Sequence, residues 1–253
     1  MLASTWWRRY DEWPKRAPVI VAVLAALSSI GCGEAGQDPK DLALCQPPSW
    51  IRGAPETIED VTTLVNALAD ARGGMVDLPC FVESLSRPLG AAASSSFISA
   101  QPAKGARSPR LFLWSGALVM SVAPEGLGSR LLELGFQTAP TRSIKAEIEF
   151  PVTAPLSMSA PYDRAPAEPQ TRCAACHPSE APAESVTWAK AFESDVLRIS
   201  DDDLVEIGSV AQESEGCDPI MEPQRCALLG AIFGQEGIHA QAFSREARTI
   251  YGE

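Results

Sequence analysis

The chain has seven cysteines and two histidines in 253 residues, and three of these nine fall within five positions, Cys173-Ala174-Ala175-Cys176-His177. Two thiols separated by two residues can each add across one vinyl group of the same porphyrin. An imidazole next to the second thiol then lies beneath the iron. The C-x-x-C-H spacing therefore reads as a covalent haem c site, with Cys173 and Cys176 as the thioether links and His177 as the proximal axial ligand. The same residues permit a local disulfide between Cys173 and Cys176. They also permit half of a zinc site completed by His239 or another cysteine. No thioredoxin-like βαβ pattern surrounds the pair, and neither a second C-x-x-C nor an H-x-x-x-H accompanies it. Any catalytic triad would have to use His177 or His239, and no G-x-S-x-G elbow or P-loop occurs. An electron carrier or binding protein fits this inventory better than an enzyme.

Haem is attached to such motifs outside the cytoplasm, and the N-terminus reads as an export signal. Arg8, Arg9, Lys15 and Arg16 precede an uncharged, largely apolar run from Ala17 to Gly31. That is the length of a secretory h-region and short of the roughly 20 residues that span a bilayer. Ser29-Ile30-Gly31-Cys32 resembles a bacterial lipobox, with Ser29 where that family favours leucine. The resemblance implies a signal peptide over 1–31, lipidation at Cys32, and a protein on the periplasmic face of the cell envelope, held to a membrane by lipid. An ordinary cleaved signal with Cys32 incidental is the alternative. If lipid takes Cys32 and haem takes Cys173 and Cys176, four cysteines remain. Proximity pairs them as Cys45–Cys80 and Cys217–Cys226.

The five-residue motif also resembles that of c-type cytochromes, which implies electron transfer or redox sensing with a protein redox partner in the envelope. In that family an axial methionine often lies in a Pro-flanked loop C-terminal to the motif. Met221, in Asp218-Pro219-Ile220-Met221-Glu222-Pro223, matches that pattern, and His239 is the other distal candidate. Pro166 and Pro169 interrupt the helix that precedes the motif in small cytochromes c, and Pro178 follows it directly. The net charge of −11 argues against nucleic acid and suits a basic partner. A disulfide-stabilised envelope lipoprotein that serves as a binding or structural module without haem is the reading from another class.

Around these residues the chain is expected to be α+β. Residues 32–56 read as a tether. The 57–150 region should hold a small antiparallel sheet packed by one helix. Thr57 and Asp60 form a capping box ahead of Ile58, Val61, Leu64, Val65 and Leu68, which share one face of a helix ended by Gly73-Gly74. Strands are expected over 110–114, 117–122, 131–137 and 143–150. In the last, Lys145, Glu147 and Glu149 alternate with an apolar set and read as its solvent side. Lys104, Arg107 and Arg110 read as a solvated basic loop. Five prolines make 151–171 a linker. The 172–253 region should be mostly helical and cytochrome c-like, carrying the C-x-x-C-H loop. Its helices are expected from Ser200 to about Gln212, from Pro223 to Gly234, and around 243–251.

Overall fold

A computed structural model describes residues 45–51, 53–164, 166–167 and 170–252. The expected signal peptide over 1–31, Cys32 and most of the tether lie outside the described residues. The end of that tether is held in place: Cys45 is bonded to Cys80, and Cys45 and Pro55 are buried.

Helix α1 (Ile58–Ala71) starts at the expected capping box, where Asp60 N–H donates to Thr57 Oγ1 at 3.1 Å and Thr57 N–H donates to the Asp60 carboxylate at 3.0 Å. These bonds satisfy amides that the first turn cannot satisfy itself. Helix α2 (Leu78–Glu83) is capped by Asp77. The chain then lays down β1 (Leu89–Ser94), β2 (Arg110–Ser115), β3 (Leu118–Val122), β4 (Leu131–Ala139) and β5 (Arg142–Glu149) as an antiparallel series. Helix α3 (Ala160–Asp163) and the short pair β6 (Pro166–Ala167) and β7 (Gln170–Thr171) lead into the C-x-x-C-H segment. After it come β8 (Ala181–Pro182), β9 (Phe192–Asp195), β10 (Leu204–Val205), α4 (Ile207–Glu215), α5 (Pro223–Phe233) and β11 (Ile238–Ala240).

The sheet is larger than the sequence suggests. It has nine strands in the order β10-β1-β2-β3-β4-β5-β9-β8, with β11 pairing in parallel along β1. Four of the nine come from beyond residue 171, so the C-terminal region is not mostly helical. It adds strands to both edges of the sheet and contributes two longer helices. Periodicity did not reveal these strands because each has only two to four residues, too few to show an alternation. Ser200 does not cap a helix. Asp201–Asp203 form a 3-10 turn, β10 follows, and α4 begins only at Ile207. Residues 243–251 form no helix.

Within the expected linker over 151–171, residues 151–164 are packed against the rest of the described residues. Asn66 on α1 exchanges two hydrogen bonds with the backbone of Leu156, at 2.8 and 2.9 Å. The Tyr162 hydroxyl donates to Glu59 at 2.8 Å. Phe150, Val152 and Tyr162 join the main core.

The two faces of the sheet differ. Leu111, Leu113, Leu118, Met120, Leu132, Ile144 and Ile148 point to one side and pack with apolar residues of α1, α2 and α5. The other side carries Arg110, Ser121, Glu133, Lys145 and Glu147 beside a smaller apolar group of Phe112, Trp114, Val119 and Phe243. A sheet with one face in the core leaves its alternate residues free for other uses.

Candidate functional site

The C-x-x-C-H segment lies over this second face. Arg172–Ala175 form a single 3-10 turn, with Thr171 Oγ1 accepting from Cys173 N–H at 3.1 Å. The carbonyl of Cys173 accepts from the amides of Cys176, at 3.1 Å, and His177, at 2.8 Å. A tight turn therefore brings Cys173 and His177 to the same wall. The turn is fastened at both ends. Glu180 takes the amide and hydroxyl of Thr171, and Arg172 pairs with Glu147 on β5. On the far side, Arg142 of β5 donates to Ser179 O and to the Asp195 carboxylate, both at 2.8 Å.

Cys173, Cys176 and His177 line one cavity of about 330 Å³. Its floor is the polar face of β2, β3, β4 and β5. Its walls include residues 196–200 and Phe243. Cys45–Cys80 and Cys217–Cys226 are disulfides, whereas Cys173 and Cys176 are free thiols, the first half-buried and the second exposed. Burial raises the Cys173 pKa, so this sulfur is held as a thiol.

His177 Nδ1 lies 2.8 Å from the backbone carbonyl of Asp195. With the ring N–H on Nδ1, that bond fixes the tautomer and leaves Nε2 with its lone pair, as in histidines that bind metals. Burial, together with the Lys145 ammonium, pushes the His177 pKa down to about 3. The imidazole is therefore neutral across the physiological range and competent as a ligand.

Two free thiols and an oriented neutral imidazole suit covalent haem attachment. At about 330 Å³ the cavity is near the lower limit for cofactor sites, so a porphyrin would be only partly enclosed. A zinc site is less well supported. Among the described residues, the one cluster of three His, Cys, Asp or Glu ligand atoms within coordinating distance is Cys217, Glu222 and Cys226, and both its sulfurs are spent in a disulfide.

The structure does not bring the two distal candidates to the cavity. Met221 is 76 % exposed in the loop between α4 and α5. His239 is exposed on β11, paired with Gly90 at the opposite edge of the sheet from β9. Six strand spacings separate β11 from β9, roughly 29 Å along the sheet at ~4.8 Å each.

Two charged residues have roles that the sequence did not suggest. Lys145, expected on a solvent side, faces the cavity, and burial lowers its pKa to about 8. Arg110 begins β2, as the strand expected over 110–114 implied, but instead of standing in a solvated basic patch it lines the cavity. It binds Glu133 at 2.5 Å and Ser121 Oγ at 2.8 Å, and the Ser121 hydroxyl in turn donates to Gln101. The alternation of β5 placed Lys145 on the correct face, but no local signal showed that later segments would cover that face. Compared with known proteins, the chain matches no family model, no curated protein and no solved structure.

Proposed function

We propose that this chain is an envelope c-type haem protein acting in electron transfer or redox sensing, with one haem held by Cys173 and Cys176 and His177 as an axial ligand. One observation carries the reading. The described cysteines divide into four that are bonded and two that are free, and the two free ones share a cavity with an imidazole whose Nδ1 is occupied by Asp195 O. When bound, the haem would supply a one-electron iron couple. The protein's part is positioning. Asp195 O fixes the ring of His177, and the Arg172–Glu147 pair ties the turn to β5. The exposed Cys176 gives a maturation system access to the site.

The lipobox-like Cys32 supports attachment to a membrane at the periplasmic face. The acidic composition supports docking to a basic redox partner rather than to nucleic acid. Met221 and His239 do not line the cavity, so neither would serve as a second ligand to a haem held there.

The test is expression with a haem-maturation system, followed by the visible spectrum of the denatured protein. Wild type should retain a haem band that the Cys173→Ser/Cys176→Ser variant lacks. His177→Ala should keep the attachment and change the spectrum of the native form. Equal spectra for wild type and the double variant would refute the reading and leave a haem-free, disulfide-stabilised binding module. A Cys32→Ala variant that still partitions with membranes would refute the lipid anchor.

A further inference from the structure

The cavity holds a feature that haem attachment does not require. Its cationic side chains are Arg110, Lys145, Arg172 and Arg198. Arg110 is paired with Glu133, Arg172 with Glu147, and Arg198 more loosely with Asp201 at 3.8 Å. Lys145 has no hydrogen-bond or ion-pair partner among the described residues. It projects from the middle of β5, directly opposite Gly135 on β4, which also lines the cavity. Packing does not demand glycine there: a Cβ would meet Ser143 Oγ at 3.7 Å, an ordinary contact.

Part of the remaining wall is an apolar patch, set beside polar residues such as Ser96, Ser99, Gln137 and Asp203. Phe112, Val119, Ile199 and Phe243 line the cavity, and Phe243 packs edge-on against Phe112 with ring centroids 5.1 Å apart. The Glu133 charge acts on Lys145 but is paired directly with Arg110, so the largely desolvated ammonium lacks a direct partner, and an anion entering beside the apolar patch would supply one. A volume of about 330 Å³ corresponds to roughly eleven waters at ~30 Å³ each, or to a compact molecule of about ten non-hydrogen atoms.

We infer that this cavity binds an organic carboxylate with a compact apolar body. Lys145 takes the carboxylate, and Phe112, Val119, Ile199 and Phe243 take the body. The inference does not depend on haem attachment. The carboxylate can come from a free acid or from the propionate of a porphyrin held on the neighbouring thiols.

The experiment uses the Cys173→Ser/Cys176→Ser protein, which cannot carry covalent haem. It is titrated by calorimetry with cinnamate and, as a neutral probe of the same shape, cinnamamide. Cinnamate should bind at least tenfold more tightly than the amide. Lys145→Met should abolish that preference, and Lys145→Arg should retain part of it. Gly135→Val should block both probes while melting close to the parent. Equal binding of acid and amide, no binding of either, or a preference that survives Lys145→Met would overturn the inference. Repeating the titration on haem-loaded wild type separates the sources. Cinnamate still bound indicates a free acid, and cinnamate excluded indicates the propionate. A wild-type protein that takes no haem but binds cinnamate as described would remove the haem reading and leave this one standing.

Discussion

Replacing Lys145 with methionine should make the protein more stable at neutral pH, by an amount that shrinks as the pH rises. Burial brings the Lys145 pKa from an ordinary 10.5 to about 8. At pH 7 the side chain is charged in both the native and unfolded states. The lowered pKa then corresponds to about 3 kcal/mol of native-state penalty. Lys145 is only partly shielded from solvent, and solvent screening reduces this, so about 2 kcal/mol is the expected gain from Lys145→Met, whose side chain is of similar length and needs no counter-ion. Between pH 8 and 10.5 the unfolded chain keeps the proton that the native protein has released. Stability of the wild type therefore rises with pH across that window, and the penalty is gone above it. At pH 10 the gain should have fallen below about 1 kcal/mol. Urea unfolding at both pH values, in the Cys173→Ser/Cys176→Ser background to remove thiol ionisation, measures this. The neutral-pH gain corresponds to a rise in Tm of roughly 4–8 °C for a chain of this size. A Lys145→Met protein less stable than its parent at pH 7, or an advantage equal at pH 7 and pH 10, would refute the argument.

Three other outcomes follow from the same geometry. Thr57→Ala removes the cap of α1 and should cost about 1 kcal/mol in chemical denaturation, with little effect on the cavity. Breaking Cys45–Cys80 with a double serine substitution should cost about 4 kcal/mol and breaking Cys217–Cys226 about 3, because the first closes the longer segment, 35 residues against 9. Reversal of that order in paired unfolding curves would point to another origin for the stabilisation. Arg172→Ala leaves the buried Glu147 to Arg164 alone and should loosen the turn. Hydrogen exchange at the amides of Cys176 and His177 should speed up at least tenfold, while exchange in α1 stays unchanged.

Several parts of this architecture were legible in the sequence for physical reasons. The capping box and apolar face of α1 are local signals, and so is the period-two pattern of β5, because both depend on residues a few positions apart. The pairing of Cys45 with Cys80 and of Cys217 with Cys226 follows from closeness along the chain. The C-terminal strands were not legible. β8, β10 and β11 owe their conformation to the edges they add to, as Ala93 and Ser94 of β1 do for Val205 and Leu204. The candidate site divides in the same way. The five-residue motif stands out in the sequence, whereas Lys145 and Arg110 are cavity residues only because segments distant from them in the chain, 172–200 over Lys145 and 94–100 beside Arg110, cover that face of the sheet. The prolines of 151–171 suggested a linker. Packing against α1 overrode that composition, because Asn66 and Glu59 supply polar partners that water would supply in a linker.

Whether Cys173 and Cys176 carry haem decides most about this protein. The most direct measurement is the intact mass of the denatured, reduced protein after expression with a haem-maturation system. The mass should be raised by one haem in wild type and unmodified in Cys173→Ser/Cys176→Ser. An unmodified wild-type mass, with both thiols open to alkylation, would contradict haem attachment.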